Sequence, residues 1–186
     1  PLVLGNLVIN TFYFLAALVL LEHDEGSLHA RRVTPLRQHE YLGSKLITLT
    51  ALALVENLLI VVLFHGTGFA WLMMSVAIII ASVVYALIGM IAVARYDSIN
   101  TFLMPSVLYT AFAEIPLLAY LGGVRNPILF LHPLQPPLLL AEGAFRPLSA
   151  AELTYGIGAG VGWCAVLFVL ASAALERLSI GGAAAT

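Results

Sequence analysis

Two glutamates stand inside long apolar stretches, where an ionisable side chain is costly and marks a functional site by default. Glu56 is followed by Asn57 in one stretch, and Glu114 lies two residues before Pro116 in another. No Lys or Arg falls within these stretches, so each carboxyl must be protonated, hydrogen-bonded to neutral groups or in contact with water. Such acids can line a path for cationic or zwitterionic molecules. Alternatively, neighbouring polar side chains satisfy them and their role is structural.

The chain lacks the other residue patterns that catalysis or a bound cofactor would require. Gly43-Ser44-Lys45 has the residue types of a phosphate-binding loop in the wrong order, and no glycine stands upstream at the needed spacing. His39-Glu40 is not followed by the second histidine of a zinc protease, and Cys164 is the single cysteine. We therefore expect no catalytic residue, metal or cofactor in this chain. An intramembrane enzyme using Glu56 or Glu114 is disfavoured, because no second catalytic group accompanies either acid.

The composition indicates an integral membrane protein. Of the 186 residues, 61% are hydrophobic and 10% are charged, and the mean hydropathy is +1.02. Soluble domains have roughly 45–50% apolar and about 25% charged residues. The net charge of −2 gives no support for nucleic-acid binding.

Five apolar runs are long enough to cross a bilayer, which needs roughly 20 residues of helix. We expect an all-α helix bundle forming one transmembrane domain, 1–186, with these spans: 2–21, 46–64, 69–94, 102–121 and 153–175. The segment 122–151 contains a shorter apolar stretch with Pro127, Pro133, Pro136 and Pro137. Because proline removes a backbone donor and clashes within a helix, this segment is expected to be re-entrant or interfacial.

The distribution of Lys and Arg predicts the orientation, because these residues collect on the cytoplasmic side. With five spans, one side carries Arg31, Arg32, Arg37, Lys45, Arg95 and Arg177, and the other carries Arg125 and Arg146. The first side is expected to be cytoplasmic. The chain starts within an apolar run and without Met, so we also expect an N-terminally incomplete sequence whose parent has six spans.

The polar segment 22–45 lies between the first two spans. Thr34-Pro35 is typical of a helix N-cap followed by proline at the first helical position. Acidic residues precede basic ones in 22–33, the order that the helix dipole favours. The segment is either a solvated loop or a short helix that docks on a cytoplasmic partner.

Three stretches of this segment follow one another: Glu22-His23-Asp24-Glu25-Gly26-Ser27-Leu28, Val33-Thr34-Pro35-Leu36, and Glu40-Tyr41-Leu42-Gly43-Ser44-Lys45-Leu46. They resemble the loop of type-2 ATP-binding-cassette (ABC) transporter permeases, in which an acidic residue and Gly-Thr/Ser-Leu precede Thr-Pro-Leu and then Tyr-Leu-x-x-Lys. The similarity extends over the chain through the Pro-rich segment to a last span ending in Arg177. Within that family, the chain is most similar to bacterial drug exporters, including permeases for fluoroquinolone export. It departs from the pattern at 29–32, where relatives more often carry an acid and a leucine.

The resemblance implies the membrane subunit of an exporter in the bacterial plasma membrane, with the type-2 ABC exporter fold. A separate ABC ATPase subunit would bind ATP and Mg²⁺, a second permease subunit would complete a homo- or heterodimer, and the substrate would be a small drug-like amphipathic compound. The coupling loop to the ATPase would be formed by Glu22, Glu25, Gly26, Ser27, Leu28, Arg31, Thr34 and Pro35. The candidate substrate path comprises Glu56, Asn57, Glu114 and Pro116. The alternative is a membrane scaffold or sensor whose loop 22–45 binds another cytoplasmic partner.

Small and polar residues within the spans predict close helix packing. Gly156, Gly158, Gly160 and Gly162 form two overlapping GxxxG pairs in the last span, which favour packing within the chain over dimerisation. Asn6 and Asn10, four residues apart, are expected to hydrogen-bond between helices.

Overall fold

A computed structural model describes residues 2–25, 38–124 and 126–181, and all regular secondary structure within these ranges is helical. The first helix is α1 (Leu2–Leu7), which continues through a π-helical segment (Val8–Tyr13) into α2 (Phe14–Asp24). The remaining elements are α3 (Gln38–His65), α4 (Trp71–Val93), α5 (Ile99–Ala113), α6 (Ile115–Leu121), a 3₁₀ helix (Pro127–Leu131), α7 (Gln135–Gly143) and α8 (Ala150–Gly181).

Four helical stretches are long and apolar enough to cross a membrane: Val3–Glu22, His39–His65, Trp71–Val93 and Ala150–Glu176. Helices α5 and α6 meet the same criteria only together, as a pair bent by 52°. The described chain therefore has four such helices, or five if the bent pair is one span. The prediction of an all-α polytopic membrane bundle is confirmed.

The bend between α5 and α6 falls at Glu114, within the apolar run 102–121 for which the sequence predicts a single span. Pro116 explains the break, because it has no N–H to donate to the carbonyl four residues earlier. That carbonyl belongs to Phe112, and the Nε2 atom of His132 lies 3.2 Å from it. The backbone acceptor that the proline leaves open is thus satisfied from the Pro-rich segment.

Helix α4 is the centre of the bundle, since it packs against α3, α7, α8 and the first helical stretch. Its buried side chains include Ile78, Tyr85 and Met90. At Gly89 the backbone of the π-helical segment comes very close: a Cβ here would lie 2.9 Å from the Phe12 carbonyl oxygen. Only glycine permits this approach.

The two ends of the bundle differ in sequence and structure. We call residues 66–70 together with the described residues of 122–149 the Pro-rich end, and the described residues of 22–45 with 94–98 the loop end. At the Pro-rich end, α7 is buried from Pro136 to Leu140, and the Ala70 N–H donates to the Ala144 carbonyl at 2.9 Å. This end is therefore folded onto the bundle.

Candidate functional site

Glu56 lies in a cluster of amide side chains between the first helical stretch and α3. The amide of Asn6 donates to Glu56 Oε1 at 3.3 Å, and the amide of Asn10 donates to Oε2. Asn6 also donates to Asn57 Oδ1 at 3.3 Å, while the Asn57 amide donates to the Ala53 carbonyl at 2.8 Å. Asn57 is fully buried, whereas Glu56, Asn6 and Asn10 are half-buried. The two asparagines join the helices as their spacing predicted, and the carboxyl is held by neutral donors.

The π-helical segment affects the geometry of this cluster, since Asn10 lies within it. A π turn widens the helix and shifts the residues that follow it around the axis. Asn6 precedes the segment, yet its amide reaches the same carboxyl as that of Asn10. Such turns occur frequently at functional sites.

Glu114 lies at the break between α5 and α6 and is also held by a neutral donor. The hydroxyl of Tyr85, on α4, donates to Glu114 Oε1 at 2.5 Å. Tyr85 is 1% exposed, and Glu114 is half-buried. Glu56 and Glu114 therefore make separate polar contacts, each joining a different pair of helices.

Glu22 forms a polar clamp where the segment 22–45 leaves and re-enters the bundle. The Tyr41 hydroxyl and the Lys45 ammonium both donate to its carboxylate. The Lys45 ammonium also lies 5.1 Å from the centre of the Tyr41 ring. This clamp ties the end of α2 to the beginning of α3.

Most of the predicted coupling loop falls outside the described part of the chain. Glu22 and the exposed Glu25 are described. The other six residues of the prediction are not, namely Gly26, Ser27, Leu28, Arg31, Thr34 and Pro35.

Two cavities lie at the Pro-rich end. The larger, about 710 Å³, is bounded by α6, the 3₁₀ helix, α7 and the start of α8, and Pro116, Gln135 and Phe130 are among its lining residues. The smaller, about 330 Å³, is bounded by α1, α3, α4 and α7, with Leu4 and Val61 in its wall. Of the predicted path residues, Pro116 lines the larger cavity, whereas Glu56, Asn57 and Glu114 line neither of these two.

The two cavities share part of their walls. Tyr120, Leu138 and Glu142 line both of them. Volumes of this size are typical of small-molecule sites, which combine apolar walls with a few polar groups. Glu142 is the polar group common to the two cavities that carries a formal charge.

An arginine between two carboxylates borders the larger cavity. Arg146 Nε donates to Glu142 Oε1 at 2.7 Å, and its Nη2 donates to Glu152 Oε1 at 2.9 Å. These bonds, with the one to Glu142 contributing most, raise the pKa of Arg146 above its ordinary value. The network links the end of α7 to the start of α8.

His132 connects the Pro-rich segment to the end of α5. The Leu134 N–H donates to its Nδ1 at 3.2 Å, so the ring proton must lie on Nε2, which donates to the Phe112 carbonyl. Burial lowers the pKa of His132, partly offset by the bond to Phe112. Both observations indicate a neutral ring.

Comparison with known proteins identifies the family. The model of the fluoroquinolones export permease protein family matches residues 1–182. The chain belongs to this family. Curated fluoroquinolones export permease proteins from two strains of Mycobacterium tuberculosis are each 31% identical to it over 153 residues, which cover 82% of this chain and 65% of each relative.

The described helices and the family together indicate a multi-pass membrane protein of the transport permease type. The chain spans about two thirds of the length of these relatives (65%). No solved structure matches it.

The four glycines of the GxxxG pairs in α8 lie on two different faces of that helix. A Cβ at Gly156 would lie 2.7 Å from Leu140 Cδ2 on α7, and one at Gly160 would lie 3.0 Å from Ile80 Cδ1 on α4. At Gly158 and Gly162 it would meet no described atom within 4 Å. Close packing inside the chain therefore uses Gly156 and Gly160.

Sequence reasoning missed several polar contacts of this permease-family chain. It did not identify Tyr85 as the partner of Glu114, since nothing in a single sequence pairs residues on different helices. It also overlooked the network of Glu142, Arg146 and Glu152, although the first two stand four residues apart with opposite charges, a spacing that favours an ion pair on a helix.

Proposed function

We propose that this chain is part of the membrane-spanning permease subunit of an ATP-driven exporter, which moves a small amphipathic compound out of the cell. The family name supports permease-type export, and the relatives are named for fluoroquinolones, which are the first substrates to test. The proposal places the protein in the bacterial plasma membrane, with the loop end in the cytoplasm and the Pro-rich end outside.

ATP hydrolysis belongs in this proposal to a separate ABC ATPase subunit, since the sequence contains no phosphate-binding loop. Two permease subunits and two ATPase subunits would form the transporter. ATP and Mg²⁺ would bind the ATPases, and this chain would hold no cofactor.

The observation that carries the coupling part of the proposal is the clamp around Glu22. A segment that docks on an ATPase can move the membrane helices only if its ends are fixed to them. The Tyr41 and Lys45 side chains fix the start of α3 to the end of α2 through Glu22. A force applied to the segment between α2 and α3 therefore moves both helices together.

Export measurements test the proposal. Cells that express the full-length protein with its ATPase are expected to accumulate less of a fluorescent fluoroquinolone than cells lacking either one. Lys45→Met removes the ammonium that pairs with Glu22, and we expect it to lower export several-fold while the ATPase still co-purifies with the permease. Asp97→Asn is the matched control, because it removes an exposed charge at the same end of the bundle.

Three results would count against the proposal. Equal accumulation with and without the ATPase would contradict ATP-driven export. Normal export by Lys45→Met would contradict the coupling role of the clamp. Retention of the ATPase after Gly26 or Leu28 is changed to a bulky charged residue would contradict docking through this loop.

A further inference from the structure

The wall shared by the two cavities contains one charged group in an otherwise apolar setting. Among the described residues that line the smaller cavity, Glu142 is the carboxylate, His65 is a second titratable group, and neither Lys nor Arg is present. The other lining residues are mostly aliphatic or aromatic: Val3, Leu4, Ile60, Val61, Phe64, Met74, Tyr120, Leu138, Ala141 and Phe145. An apolar cavity with a single acid fits a molecule with an apolar body and one positive group.

The Glu142 carboxylate still has an oxygen available for such a group. Arg146 Nε donates to Oε1, and no described residue donates to Oε2. The side chain is about one third exposed (30%) and lies between the cavities rather than in the protein interior. An ammonium on a ligand could therefore donate to Oε2 without displacing Arg146.

The larger cavity provides further partners for such a molecule, and the one cation in its described lining, Arg146, is paired with Glu142 and Glu152. Tyr120 and Phe130 contribute aromatic rings to its lining, and a cation above an aromatic ring is attracted to it. Gln135 also lines this cavity, and its Oε1 is buried without a hydrogen-bond partner among the described residues. A second N–H or O–H donor on the ligand would satisfy this oxygen.

We propose that Glu142 binds the amine of an amphipathic organic cation whose apolar body occupies the paired cavities at the Pro-rich end. The inference rests on the proposed function for its biological meaning, since it defines the substrate class of the exporter. The smaller cavity begins about one turn of α3 beyond Glu56, since Ile60 and Val61 line it on the side of the Pro-rich end.

Binding to the purified full-length protein in lipid nanodiscs tests this site without ATP. The probes are dansylcadaverine, which carries a fluorophore and a primary ammonium, and dansylamide, which has the fluorophore alone. We expect Glu142→Gln to weaken dansylcadaverine binding about tenfold, the size of one lost charge-assisted hydrogen bond. Dansylamide binding and the Asp97→Asn control are expected to stay at wild-type values.

A second variant separates ligand binding from a structural role of the ion pair. Arg146→Gln releases Glu142 from its internal partner, so dansylcadaverine is expected to bind at least as tightly as to wild type. If Arg146→Gln lowers the affinity as much as Glu142→Gln does, or if Glu142→Gln affects both probes equally, the proposal is wrong. If the protein binds dansylcadaverine selectively but shows no ATP-driven export, the proposed function is wrong and the site is retained. If export is ATP-driven but amine-selective binding is absent, the site alone is wrong.

Discussion

At the residue scale, the two acids within the membrane helices are both held by uncharged donors. Glu56 receives two amides from the first helical stretch, and Glu114 receives the Tyr85 hydroxyl. Hydrogen bonds of this kind allow a carboxyl to remain among apolar helices without a basic partner. Because each bond joins two helices, these residues hold the bundle together whether or not a substrate passes them.

Removing the acceptor at Glu56 is expected to destabilise the bundle. Glu56→Leu leaves the amides of Asn6 and Asn10 without their acceptor, and each lost interhelical bond costs about 1 kcal/mol. Glu56→Gln keeps one acceptor oxygen and is expected to lose roughly half as much. Thermal unfolding in detergent measures the difference, with Val55→Leu as the control because Val55 is exposed on the same helix.

The same positions test the candidate substrate path. If Glu56 and Glu114 line that path, Glu56→Gln or Glu114→Gln lowers export at normal expression levels. Wild-type export by both variants would assign these acids to helix packing alone. Wild-type stability of Glu56→Leu would instead contradict the amide cluster itself.

At the element scale, the long helices follow from the apolar runs, but their details do not. Pro116 made a kink foreseeable near the bend that occurs at Glu114. Pro105, by contrast, lies inside α5 without ending it. No residue type in the sequence predicts the π-helical segment Val8–Tyr13. This segment occurs where Phe12 packs closely on Gly89. Tertiary contacts of this kind cannot be read from local sequence.

The packing partners of the GxxxG glycines in α8 also cannot be read from the local sequence. They lead to a testable prediction. Sequence spacing identifies four small residues in α8, while only the packed bundle shows which of them face a neighbour. Gly156→Leu is expected to destabilise the protein by about 1–3 kcal/mol, the usual cost of overpacking, because Leu140 occupies the space. Gly158→Leu introduces the same side chain into open space and is the matched control.

Thermal unfolding of both variants in the same detergent separates the two faces. Equal loss in both would mean that the Gly158 face is also packed, against another subunit. No loss at Gly156 would contradict the packing of α7 on α8.

At the scale of the whole molecule, polar contacts are distributed along the bundle from one end to the other. The clamp at Glu22 lies at the loop end, the Asn6–Glu56 cluster lies within the helices, and the Glu142–Arg146–Glu152 network lies at the Pro-rich end. The orientation of this arrangement in the membrane is predicted from the Lys and Arg distribution alone. It therefore requires a direct measurement.

Cysteine labelling in intact cells can establish the orientation. Cys164→Ser removes the single cysteine of the chain, and single cysteines are then placed at the exposed residues Asp97 and Val124. A membrane-impermeant maleimide is expected to label Val124→Cys in intact cells and Asp97→Cys only after lysis. The reverse pattern would place loop 22–45 outside the cell and end the case for coupling to a cytoplasmic ATPase.

The bend between α5 and α6 has a mechanical consequence for the proposed transporter. A continuous helix transmits a displacement along its length, whereas two helices separated by a bend can tilt independently. Here the bend lies between α5 and α6, and the imidazole of His132, in the Pro-rich segment, is hydrogen-bonded to the Phe112 carbonyl near that bend. Because of this hydrogen bond, a tilt of α5 is expected to displace the Pro-rich segment, whose residues Phe130 and Gln135 line the larger cavity.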